Sequence, residues 1–139
     1  MADRTVTLAP IARLRTGVRQ ERAVGTGGSI SGIIDGLRGE RTVTGIPVLK
    51  NTGFLEEEIV KNVHYNNWNL LNDYHFGGYA KVTNELSEFC AGFEEEFNIL
   101  IEPTYTGKLF YGVVDQIKKG RIESGSTILV IHSGGLQAR

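Results

Sequence analysis

Three turns in this chain hold the residues best suited to chemistry. Gly25-Thr26-Gly27-Gly28-Ser29 opens an apolar stretch at Ile30. Glu102-Pro103-Thr104-Tyr105-Thr106-Gly107-Lys108 leads into a helical pattern, and His132-Ser133-Gly134-Gly135 closes the apolar run Ile128-Leu129-Val130-Ile131. The first turn offers backbone N–H groups and two hydroxyls at a helix N-terminus, a geometry that binds a phosphate dianion. It lacks the Lys-Ser/Thr pair of an ATP-type phosphate loop. Ile30 stands where the dinucleotide pattern Gly-x-Gly-x-x-Gly needs its third glycine. The same residues also suit a plain tight turn. Tyr105, between Pro103 and Gly107, suits proton donation, acceptance or stacking, and equally a rim aromatic. Ser133 is a neutral hydroxyl beside two glycines, or an ordinary turn serine.

The elements that must position these turns follow from spacing. Ser29 caps a helix carrying Ile30, Ile33, Ile34 and Leu37, ended by Gly39. Thr42 to Leu49 is β-branched and apolar, a strand. Phe54, Leu55, Ile59 and Val63 make a second helix, with Glu56, Glu57 and Glu58 near its positive end. Thr83 begins a third, with Leu86, Phe89, Phe93 and Phe97 on one face. Asn98 to Ile101 reads as a short strand. Thr106 to Lys119 reads as a fourth helix, and Thr127 to Ile131 as a strand buried in a parallel sheet. Alternating helices and strands predict an α/β layered domain, a mostly parallel sheet with flanking helices. Ligands bind at the carboxyl ends of strands in such sheets, where the Tyr105 and Ser133 turns are expected.

Composition narrows the class. The chain has 139 residues, enough for one domain with a core, with 40% hydrophobic and 22% charged residues. A formal net charge of −1 gives no pull toward nucleic acid or anionic membrane. Cys90, the single cysteine, excludes an internal disulfide and reads as a core thiol beside Phe89 and Phe93. No stretch approaches the roughly 20 apolar residues of a bilayer span. His64, His75 and His132 are scattered, Asp73 with His75 is no metal signature, and no Ser-His-Asp set with a nucleophile elbow occurs. The segment Trp68 to Tyr79 is too rich in aromatic residues, Asn and His for a plain linker. Residues 1–24 stand apart, with five arginines against Asp3 and Glu21. They read as an atypical Arg-rich segment, a tail or a transit-like stretch, ahead of a domain over 25–139.

Taken in order, the motifs resemble the 1-aminocyclopropane-1-carboxylate deaminase / D-cysteine desulfhydrase family, pyridoxal-phosphate enzymes of the tryptophan synthase β-like fold. Glu102 to Lys108, then Ile117-Lys118-Lys119-Gly120, then Ile131 to Leu136 resemble its C-terminal signature. Gly25 to Ser29 with Ser31-Gly32 resemble its cofactor-phosphate loop. The resemblance runs from about Val24 to Gln137 and implies an incomplete copy of that fold, its C-terminal portion.

Roles follow from the resemblance residue by residue. Gly25, Thr26, Gly27, Gly28 and Ser29 would hold the phosphate of pyridoxal 5'-phosphate. Tyr105 would lie over cofactor and substrate, with Tyr79, in Phe76-Gly77-Gly78-Tyr79, as a second active-site tyrosine. Thr106 would border the cofactor, and Ser133 would face its pyridine nitrogen, moderating its strength as an electron sink. Thr106 stands where ring-opening members resemble one another in carrying glutamate, which favours desulfhydrase-like β-elimination from a small amino acid. No lysine here matches the Schiff-base position, so a chain cut off from its N-terminal half and turning over little or nothing is expected. The expected setting is cytoplasmic, without metal, nucleic-acid or membrane partners, and with a second copy as a candidate partner through the Phe54 and Phe110 regions. Two other readings are a non-catalytic phosphate- or nucleotide-binding module and an unstable remnant with an exposed sheet edge.

Overall fold

The computed structural model describes residues 18–24, 28–50 and 52–132. Its elements run β1 (Val18–Val24), α1 (Gly28–Gly36), β2 (Val43–Pro47), α2 (Gly53–Asn62), β3 (Trp68–Leu70), α3 (Asn84–Phe97), α4 (Thr106–Lys118) and β4 (Thr127–Val130). The four strands form one sheet in the order β3-β2-β1-β4, with all three ladders parallel. The layered parallel α/β fold expected from the alternation is the one observed. Val24 lies opposite Pro47, and Glu21 opposite Val130, so β1, β2 and β4 present their carboxyl ends at one edge.

The sheet is covered on both faces because β2 alternates. Val43 joins Ile30 and Ile34 of α1 and Leu55 and Ile59 of α2 in one cluster. Ile46, on the opposite face of the strand, joins Leu109 and Val113 of α4 with Tyr74. Every residue of β2 is buried. Helix α4 comes close to this face through Gly112, where an added Cβ would stand 2.7 Å from Ile46 Cδ1. Helix α3 packs on the outer side of α4 rather than on the sheet, through Leu86, Cys90, Phe93, Ile101 and Phe110. Cys90 is the expected buried core thiol. Phe110, read from sequence as a contact for a second copy, is buried in this cluster, whereas Phe54 is exposed.

Three elements differ from the sequence reading. Strand β1 lies within the 1–24 segment that composition set apart, and it occupies the centre of the sheet between β2 and β4. Trp68–Leu70 is a strand, paired with β2. Asn98 to Ile101 is not a strand. Asn98 takes the left-handed conformation (φ 53°) as the C-cap of α3, and its N–H donates to Glu94 O, which turns the chain before pairing could begin. Strand β4 carries the expected apolar run, but it is an outer strand of the described sheet and only half-buried.

The α3 start is as the sequence predicts. The Thr83 hydroxyl accepts from the Leu86 N–H at 3.2 Å. Thr83→Ala is expected to lower stability by about 1 kcal/mol, read as a shift in urea midpoint with unchanged slope. No helix among the described residues is long and apolar enough to cross a membrane.

Candidate active site at the carboxyl edge of the sheet

The turn ahead of α4 is organised by a buried carboxylate. Glu102 is fully buried. Its Oε2 accepts from Thr104 N at 2.6 Å, and its Oε1 accepts from Tyr105 N at 2.7 Å and Thr106 N at 2.8 Å. These are N–H groups that a helix start leaves without partners, and a carboxylate there is also favoured by the helix dipole. The Glu102 N–H donates to Thr106 Oγ1 at 3.0 Å, and the Gly107 N–H to Glu102 O at 2.7 Å. The Thr106 side chain is buried, and its hydroxyl is engaged inside this turn. What Thr106 delivers at the surface of the site is therefore the position of its neighbour, Tyr105.

Tyr105 meets Tyr79. Their ring centroids lie 5.9 Å apart at 66°, an edge-on contact. A hydrogen bond with Tyr79, reinforced by partial burial and by the nearby Glu102 carboxylate, pushes the Tyr105 hydroxyl up to about 12. Tyr105 is consequently a held phenol, protonated at neutral pH with its hydroxyl hydrogen available to donate. Tyr79 is itself 56% exposed, so the pair faces outward. Neither the 26-residue separation nor any periodicity would have paired them; the turn at 76–80 does so.

That turn sits at the strand edge. Gly78 approaches Lys50, just beyond β2 (an added Cβ would stand 3.5 Å from Lys50 Cβ). On the other side, the His132 ring, just beyond β4, bonds Leu100 O through Nε2 at 2.7 Å and lies 6.2 Å from the Phe110 ring. A carbonyl only accepts, so Nε2 carries the proton. The segment 99–105 thus reaches the carboxyl edge after leaving a helix, not a strand as the sequence suggested. Gly25, Thr26, Gly27 and Ser133 lie outside the described residues. The first three are bracketed by β1, ending at Val24, and α1, opening at Gly28 with Ser29 next. Ser133 follows His132 directly. Two functional residues escaped the sequence reading as such: Glu102, which builds the cap, and Lys108, whose ammonium donates to Gly78 O at 2.9 Å from a fully buried side chain.

No family model matches the chain. A Pyrococcus abyssi protein assigned as a 1-aminocyclopropane-1-carboxylate deaminase is 36% identical over 128 residues, covering 82% of this chain and 38% of the relative. A crystal structure described as that of an ACC deaminase homologue superposes with a TM-score of 0.76 at 31% identity, covering 91% of this chain and 42% of the other. The chain is related to the C-terminal portion of the 1-aminocyclopropane-1-carboxylate deaminases. Part of that kinship extends to an Arabidopsis thaliana protein named as a bifunctional mitochondrial D-cysteine desulfhydrase/1-aminocyclopropane-1-carboxylate deaminase, 38% identical over 60 residues, 42% of this chain and 15% of the relative. The chain spans 38% of the length of its Pyrococcus abyssi deaminase relative. The parallel sheet described above is accordingly a part of the deaminase fold.

Proposed function

We propose that this chain supplies the phosphate loop, the tyrosine face and the ring-nitrogen hydroxyl of a pyridoxal 5'-phosphate site that acts on a small amino acid. The observation that carries the reading is the meeting of Tyr79 and Tyr105 at the carboxyl edge of a parallel sheet, in a chain related to the deaminases. Two features support the fit of the cofactor. Helix α1 opens directly beyond the central strand β1 and has no acid in its first turn, so its N-terminus suits the phosphate held by Gly25, Thr26, Gly27, Gly28 and Ser29. The N–H groups that open α4 are taken by Glu102 and do not compete for it.

When bound, the cofactor supplies an electron sink for the substrate's α-carbon. The chain's own residues do the rest. Ser133 offers a neutral hydroxyl to the ring nitrogen. Tyr105, holding its proton, would orient or protonate a group of the substrate, and Tyr79 would receive its hydrogen bond. Thr106 places no carboxylate beside Tyr105, and its hydroxyl is closed into the Glu102 turn. That supports β-elimination of a thiol, as from D-cysteine, over cyclopropane ring opening. In this reading the substrate is a small amino acid, nucleic acid and membrane are not partners, and the setting is cytoplasmic. A second copy docks on the exposed Phe54 side. Lys108, the buried lysine at the site, is committed to Gly78 O, so the chain alone turns over little or nothing.

Titrating the chain with pyridoxal 5'-phosphate and following its absorbance tests this. Weak saturable binding that inorganic phosphate competes away, with no borohydride-trappable lysine adduct, is the expected result. A strong band trapped on one lysine would overturn the inactive part of the reading. Absence of binding at millimolar cofactor, or preference for a nucleotide, would overturn the cofactor assignment.

A further inference from the structure

The turn that carries Tyr79 is held in an unusual backbone. Phe76 (φ 54°), Gly77 (φ 100°), Gly78 (φ 124°) and Ala80 (φ 56°) all have positive φ. Phe76 and Ala80 carry side chains there at a cost, and such conformations persist where the surroundings impose them. Within the turn, Gly78 N donates to His75 O at 3.1 Å, Lys81 N to Gly78 O at 3.1 Å, and Gly77 N to His75 Nδ1 at 3.0 Å. The long-range hydrogen bond to this turn comes from α4: Lys108 Nζ to Gly78 O, 2.9 Å.

We propose that Lys108 is a positioning residue, whose buried ammonium pins Gly78 to α4 and so sets Tyr79 against Tyr105. The proposal rests on the tyrosine pair being the working face of the site. Lys108 and Tyr105 belong to the same first turn of α4 and its cap, so one rigid element holds Tyr105 directly and Tyr79 through Gly78. Burying the Lys108 side chain is costly. Burial depresses its ammonium below the usual lysine range, and the Glu102 carboxylate only partly restores it. An apolar side chain of similar length would fill the same space more cheaply. What such a side chain lacks is a donor that reaches Gly78. Lys50 and Lys81 also lie near the turn, with side-chain carbons 3.5 Å from where a Cβ on Gly78 or Gly77 would stand, and Lys81 bonds Gly78 O through its backbone N–H.

The test uses the chain without cofactor, so its outcome is independent of whether pyridoxal 5'-phosphate binds. Tyrosine-labelled protein is compared by NMR as native, Lys108→Met, Tyr79→Phe and the double variant. Gly78 O keeps its bond from Lys81 N in Lys108→Met, so this variant is expected to unfold cooperatively at an unchanged or higher temperature. Its Tyr79–Tyr105 ring cross-peaks are lost, and the Tyr105 hydroxyl, still protonated at about pH 10.5 in the native chain, now ionises there, near the ordinary tyrosine value of about 10. The sign is diagnostic. Deleting a nearby cation would by itself make phenolate harder to form, so easier ionisation must come from the lost Tyr79 bond. In the Tyr79→Phe background, Lys108→Met makes ionisation no easier. If Met is not tolerated, Lys108→Gln, too short to reach Gly78 O, makes the same comparison. Retained ring contacts in either Lys108 variant, or an equal shift with Tyr79 already removed, would overturn the proposal.

Discussion

Glu102→Ala is expected to lower the stability of the chain by about 3–5 kcal/mol, the largest effect of any single substitution near the site. The carboxylate satisfies three backbone N–H groups at the start of α4 while fully buried. Alanine leaves those donors without acceptors, removes the anion that the helix dipole favours, and removes the carboxylate whose charge favours the buried Lys108 ammonium. Each unsatisfied buried donor costs roughly 1–3 kcal/mol; water entering the vacated space offsets part of the sum. Glu102→Gln separates the contributions. Its amide oxygen can serve Tyr105 N and Thr106 N, but its NH₂ then faces Thr104 N, donor against donor. A loss of roughly 1–3 kcal/mol is expected from that one contact. Urea unfolding of the three proteins measures both. An alanine variant within 1 kcal/mol of the native chain would remove Glu102 from its place as the keystone of the turn.

Glu102 also shows which parts of this molecule can be read from its sequence. A helix announces itself where local chemistry and burial agree. Thr83 ahead of Leu86, Cys90 and Phe93 is such a case, and the hydroxyl does cap the helix. The Ile30–Ile34 and Leu55–Ile59 spacings likewise become one cluster against Val43. Strand β1 has no such agreement. Val18-Arg-Gln-Glu-Arg-Ala-Val24 carries a charged middle, and what makes it a strand is a parallel neighbour on each side, a cause that lies elsewhere in the chain. The reverse error occurs at Ile99-Leu100-Ile101, whose residue types favour a strand while Asn98 turns the backbone and Ile101 sinks into the α3–α4 cluster. For the site, Tyr79 and Tyr105 could be named from the resemblance, but their contact depends on a turn with positive φ and on Lys108, which reads in sequence as an ordinary helical lysine. One signal was present. Lys108, Gly112 and Gln116 recur every four residues along α4, and all three are buried, so the lysine belongs to an inward stripe.

Gly107→Ala is the second large effect, and its sign runs against helix propensity. Alanine in a helix is worth roughly 0.5–1 kcal/mol over glycine, and Gly92, on the exposed side of α3 with nothing within 4 Å of an added Cβ, should show that gain. At Gly107 the added Cβ would stand 2.6 Å from Cys90 Sγ and 2.7 Å from Glu102 O. The sulfur can move a little. The carbonyl cannot, because it accepts from Gly107 N at 2.7 Å and belongs to the residue that caps α4. Overpacking of this kind costs about 1–3 kcal/mol, and relief requires the 102–107 turn to open, which carries Tyr105 away from Tyr79. Thermal unfolding should therefore place Gly92→Ala above the native chain and Gly107→Ala well below it. Adding Cys90→Ala to Gly107→Ala should recover only part of the loss, since the clash with Glu102 O persists. Full recovery would locate the constraint in the α3–α4 packing instead of in the turn, and a Gly107→Ala chain as stable as Gly92→Ala would show that the turn yields without cost.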